Sequence, residues 1–216
     1  MAMPVEVASC EVVATPPPRR TQAERSAMTR EALVVATVDC LVEVGYAATT
    51  TQEVQQRAGV SRGALTYHFA SKADLVLAAT DYLYEDFTAD IRSAAATLPA
   101  GESRIRPGIA LLWDRFNGPL FTATMELWNA ARTDSALRAA LLPHERRLSR
   151  QLKKLCVEVF GSDVADHPSS RAVYQVLLTS MRGQALSNSL QPAAPRSGPH
   201  LGHWFDLIEA FGATER

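Results

Sequence analysis

The chain has 216 residues, 47 % hydrophobic and 21 % charged, with a formal net charge of −1. This is the make-up of a soluble globular protein of one domain or two small ones, and it lacks the whole-chain basic charge of a protein that grips nucleic acid by net attraction. Cys10, Cys40 and Cys156 are odd in number and form no CxxC, which argues against a disulfide framework and fits a reducing cytosol; no apolar run approaches the ~20 residues of a membrane span.

Taken in chain order, residues 1–20 close on Pro16-Pro17-Pro18-Arg19-Arg20 and read as a disordered tail, without the basic start and apolar core of a secretory signal. From Thr21 the pattern is helical, with Leu33, Thr37, Leu41 and Val44 at helical spacing and Gly45 as the stop. Thr50 and Glu53 make a capping box for a short helix ending near Gly59. Ser61 caps a second short helix to about Phe69, and Ser71 with Asp74 opens a longer one that aligns Leu75, Ala79, Tyr82 and Asp86. Residues 21–95 thus hold four helices. Pro99, Gly101, Pro107 and Gly108 mark a break. Helices follow at roughly 109–117, 119–132, 135–160 and 168–189. A loop over 191–200 leads to a last helix with Leu201, Trp204, Phe205 and Ile208 on one face. No strand signal appears, so the fold class is all-α.

Two short helices joined by a glycine-containing turn of about three residues form a helix-turn-helix. Gly59 supplies the positive φ, and Val54, Val60 and Leu65 pack the helices together. Ser61 leaves a positive helix end towards phosphate. Arg62 leads the second helix, where its fork can read guanine in a major groove. Gly63 and Ala64 are small enough for close approach, Tyr67 and His68 reach phosphates or base edges, and Lys72 suits a phosphate. Thr49, Thr50 and Thr51 offer hydroxyls across the groove. Residues 19–75 carry seven basic and six acidic side chains, a small excess that adds little.

With these residues on the page, the stretch "VGYAATTTQEVQQRAGVSRGALTYHFASKADLV" resembles the TetR family of bacterial transcription factors, whose N-terminal region runs as a helix ending in "Gy" followed by "tT…iA..aGvS.gtlY.HF.sKe.L". The resemblance covers roughly residues 27–86. Gln55 stands where the family usually has alanine, and Thr66 where an aromatic is frequent. It implies a three-helix DNA-binding domain over 21–86 and a helical effector-binding and dimerisation domain over 87–216, with residues 168–189 and 201–212 as a four-helix dimer interface. Apolar stripes on those segments, Val173, Val176, Leu177 and Met181 with Trp204, Phe205 and Ile208, need burial and suit that interface. The large apolar groups Trp113, Phe116, Phe121, Met125 and Trp128, with Asn129 as a polar anchor, are the candidate effector pocket.

Other patterns carry less. Arg146, Arg147, Arg150, Lys153 and Lys154 read as a solvated face. His200 and His203 have helical metal spacing but no third ligand, so neither metal nor cofactor is expected. No phosphate loop, GxSxG, HExxH or CxxC points to an enzyme. The expected function is a cytoplasmic, homodimeric regulator of double-stranded operator DNA, a repressor released by a small hydrophobic effector of unknown identity, with no membrane partner. The alternatives are a small-molecule-binding or enzymatic helical bundle with a degenerate DNA module, and a protein-interaction scaffold.

Overall fold

The computed structural model describes residues 21–161, 170–190 and 199–213; the expected tail over 1–20 and most of the 191–200 loop lie outside them. Among the described residues all regular structure is helical. The helices are α1 (Gln22–Ala48), α2 (Thr51–Ala58), α3 (Arg62–His68), α4 (Lys72–Ala95), α5 (Ile105–Phe116), α6 (Pro119–Ala131), α7 (Ser135–Phe160), α8 (Ser170–Ser189) and α9 (Pro199–Ala213), with a short 3-10 turn at Gly101–Arg104. None is long and apolar enough to cross a membrane.

Local chemistry sets the first four. Thr21, Thr50, Ser61 and Ser71 each turn a hydroxyl to the amide three residues on, capping α1 to α4 in turn. The box at Thr50 is only half made, because the Glu53 carboxylate pairs with Arg57 at 2.8 Å instead of reaching back. Arg57 also reaches Glu43 at 2.7 Å and so ties α2 to α1. Gly45 sits at φ 74° and ψ 175° and breaks α1 three residues before its end. Gly59, at φ 65°, makes the turn between α2 and α3.

Three apolar clusters follow. The first joins α1 to α4 through Leu33, Cys40, Val54, Leu65, Phe69 and Leu75. The second joins α1, α4, α6 and the start of α7 through Leu41, Val76, Ala79, Leu127 and Leu141. The third and largest holds the remaining helices around Trp113, Leu155, Leu177 and Met181. Helix α4 runs unbroken through residue 86 and enters all three clusters, so the expected boundary between domains falls inside a continuous helix. Its buried stripe is Leu75, Val76, Ala79, Thr80, Leu83 and Tyr84, and the expected line through Tyr82 is wrong, since Tyr82 is exposed.

Two further expectations need correction. Pro107 and Gly108 lie within α5, not in a break before it. A proline in a first turn gives up an N–H that the helix would not use. Gly108 lets α5 press on α7, where a Cβ would stand 3.0 Å from Val159 Cγ1 and 3.1 Å from Phe160 Cε1. The expected dimer stripe is mostly interior to the protomer: Val173, Leu177, Met181, Trp204 and Ile208 are buried in the third cluster and Phe205 packs on it. The reason is that α9 packs on α5 and α8, with the Trp204 indole N–H donating to Ser180 Oγ at 2.8 Å. Val176 alone of that set faces out, 52 % exposed.

Candidate nucleic-acid interface and effector cavity

The α2–α3 pair stands at one end of the molecule. Ser61, Arg62 and Gly63 are exposed, Ala64 and His68 half-buried, and Tyr67 is 79 % exposed, far more than packing would leave an aromatic ring. Tyr67 and His68 meet edge to face with ring centroids 5.1 Å apart. Between α2, α3 and the start of α4 runs an open polar cleft whose walls include Thr51, Gln52, Gln55, Arg62, Thr66 and Lys72. Gln55 and Thr66, the two departures from the family pattern, thus border the same cleft. Thr66 turns its hydroxyl back to the Arg62 and Gly63 carbonyls. The glutamines were missed in the sequence, although "QEVQQ" places polar groups on one side of α2.

Two threonines stand apart from the cleft. Thr49 is 1 % exposed and donates its hydroxyl to the Gly45 carbonyl at 2.7 Å, so it closes the kink of α1 and presents nothing to a groove. Thr50 remains exposed, but its hydroxyl accepts from the Glu53 amide. Lys72 is half-buried: Nζ donates to the Tyr46 carbonyl at 2.6 Å and lies 3.9 Å from the Tyr46 ring centroid. Burial lowers its pKa. The Tyr46 amide in turn donates to Glu126 Oε2 of α6 at 3.0 Å, and a Cβ on Gly45 would stand 2.6 Å from that oxygen. The α1 kink is therefore held between α4 and α6.

A second site lies among α4 to α8, a partly open cavity. Phe116, Phe121, Met125 and Trp128 line it, joined by Tyr84 and Phe87. Trp113 does not: it is buried in the third cluster between His200 and Trp204, with ring centroids at 4.8 and 5.0 Å. Asn129 is exposed and does not line the cavity; it sits one turn beyond Met125, at the edge of the cavity-facing side of α6. The polar wall was not legible: Arg115, Glu145 and Arg182 come from three helices distant in sequence. Burial raises the Glu145 pKa, against the Trp128 hydrogen bond that favours its charged form, and burial lowers that of Arg182.

Elsewhere the structure offers little chemistry. Among the described residues no group of His, Cys, Asp and Glu could hold a metal. Cys40 and Cys156 are buried, and burial pushes the Cys156 thiol up to about 12, which leaves it unreactive.

The family model described as bacterial regulatory proteins, tetR family, matches residues 33–79. A curated relative, the HTH-type transcriptional regulator CymR of Pseudomonas putida, is 31 % identical over 175 residues, covering 81 % of this chain and 86 % of its own. Among solved structures, a TetR transcription regulator from Haloarcula marismortui superposes with a TM-score of 0.64 at 22 % identity, covering 85 % of this chain and 98 % of that one. The multidrug binding protein EbrR complexed with ethidium superposes with a TM-score of 0.61 at 22 % identity over the same shares of the two chains.

Proposed function

Since the chain belongs to the tetR family of bacterial regulatory proteins and is a DNA-binding transcriptional regulator, we propose that it is a homodimeric repressor released from its operator by a small molecule held in the α4–α8 cavity. The observation that carries the reading is a pair of sites joined by one hydrogen-bonded path. The cleft between α2 and α3 is open and polar, the cavity is largely apolar, and Glu126 of α6 and Lys72 of α4 both bond to the α1 kink between them.

In this reading Arg62 and Tyr67 enter the major groove, while Thr51, Ser61 and His68 contact phosphate or base edges. Two α3 helices of a dimer must stand one helical turn apart, ~34–36 Å, to meet successive grooves. A ligand that prefers another spacing lowers DNA affinity by its differential affinity for the two arrangements. The dimer forms through the outward face of α8, where Val176 and Leu186, each 52 % exposed, flank the exposed small residues Thr179 and Gly183. EbrR, the neighbour complexed with ethidium, supports a ligand in the cavity by analogy of fold alone.

Fluorescence anisotropy on DNA from the region upstream of the protein's own reading frame, at several salt concentrations, tests the first half. Tight, salt-dependent binding to one segment is expected, and uniform weak binding to every duplex would overturn it. A compound screen read by thermal shift and by DNA release tests the second half.

A further inference from the structure

The polar wall of the cavity holds more hydrogen-bond donors than its surroundings satisfy. Arg115 Nε and Tyr84 Oη are both buried and have no hydrogen-bond partner. Arg115 gives its Nη1 to Asp90 at 3.1 Å, which leaves Nε directed elsewhere. The Arg182 guanidinium lies over the Trp128 ring, 5.4 Å from its centroid, and among the described residues no carboxylate reaches it as an ion pair. Buried donors in native proteins normally have partners, so two on one wall, beside a guanidinium without an ion pair, call for an occupant that accepts.

The charge balance points the same way. Among the described residues, Glu145 is the sole carboxylate on the wall. It already accepts from Trp128, and burial drives it towards its neutral form. Arg182 opposes that shift only in part, and no ion pair forms between the two. Arg182 and Arg115 cannot shed their charge at neutral pH. The rest of the lining is aromatic and aliphatic, including Phe87, Phe121 and Met125.

We propose that the ligand of this cavity is a carboxylate on a small apolar body, its head held by Arg182, Arg115 Nε and the Tyr84 hydroxyl and its body packed on Phe87, Phe121 and Met125. The arginine fork matches a carboxylate in geometry as well as charge. The proposal rests on the reading of this cavity as the effector site.

Titration calorimetry at pH 7.5 with 4-phenylbutyrate, octanoate, 4-phenylbutyramide and 4-phenylbutylamine tests it. At least one carboxylate is expected to bind ten-fold or more tightly than the amide and the amine, and the comparison of phenylbutyrate with octanoate tells an aryl body from an alkyl one. Arg182→Gln is expected to lose ten-fold or more for the carboxylate and little for the amide. Tyr84→Phe, which removes only an oxygen, is expected to lose a few-fold in the same selective way and stands in if Arg182→Gln fails to fold. Amide or amine binding as tightly as the carboxylates, failure of both carboxylates to bind, or selectivity unmoved in the variants would each overturn the proposal. Operator release separates the two readings. An amine that binds and releases DNA keeps the effector site and removes the anion. A carboxylate bound through Arg182 without effect on DNA keeps the anion site and removes the effector.

Discussion

Arg62 and Lys72 border the same cleft, yet their surroundings assign them different work. Arg62 is exposed in the first turn of α3 and free to reach outwards. Arg62→Ala is expected to cost about 1–3 kcal/mol on the operator and to relax preference at one base pair, with little change on random DNA. Anisotropy titrations on operator and scrambled duplexes check this, and equal losses on both would place Arg62 on phosphate. Lys72 already gives one N–H to the Tyr46 carbonyl and its charge to the Tyr46 ring, which leaves two donors for a phosphate. Lys72→Ala is therefore expected to lower stability as well as DNA affinity, by about 1–3 kcal/mol in urea unfolding, because a partly buried carbonyl loses a charged donor. Stability unchanged, with the salt slope reduced by about one, would mean that its phosphate role dominates.

At the scale of elements, the contact of α4 with α7 carries a titratable group. His144 is buried, with Nδ1 3.7 Å from Asp81 Oδ1 and 3.0 Å from Arg147 Nη2; Arg147 also pairs with Asp81. Burial, and secondarily Arg147, lower the His144 pKa, with Asp81 opposing them. A histidine held below its unfolded value binds fewer protons folded than unfolded, so its contribution is intact above about pH 6.5 and lost as pH falls from there through the folded pKa. Thermal melts at pH 7.5 and 5.5 are expected to show a drop that His144→Asn reduces; an equal drop in the variant would move the cause elsewhere. The elements whose ends are local chemistry were legible: Thr50, Ser61 and Ser71 start α2, α3 and α4 where hydroxyl spacing puts them. The start of α5, expected near 109, was not, because Pro107 is harmless in a first turn and Gly108 answers to Val159 and Phe160 across the core. Nor was the burial of Leu177 and Met181, since periodicity reveals an apolar face but not which neighbour covers it. The Arg115–Glu145–Arg182 wall needed three helices folded together before it existed.

For the whole molecule, the inward stripe of α8 is spent on the protomer core, and what remains for association is its outer stripe. Leu186→Glu is expected to convert a dimer to a monomer in sedimentation velocity at micromolar protein and to lower operator affinity with it, since one unit alone grips one half-site. A dimer that survives would shift the interface to α9. The Gly45 kink adds a thermodynamic consequence. Its amide side is bonded to the helix that carries Met125 and Trp128, and its carbonyl side to Lys72, which opens α4 beside the reading head. Information through such a joint runs both ways with equal free energy. If the bound small molecule weakens the grip on DNA by some factor, the operator must weaken the grip on that molecule by the same factor, so the regulator seated on its promoter is a poorer sensor than the same regulator free in solution. Glu126→Gln keeps the size of the side chain but weakens its hold on the Tyr46 amide; here the two dissociation constants should drift towards independence, each nearly as strong as before, in a protein that senses and binds but no longer relates the two.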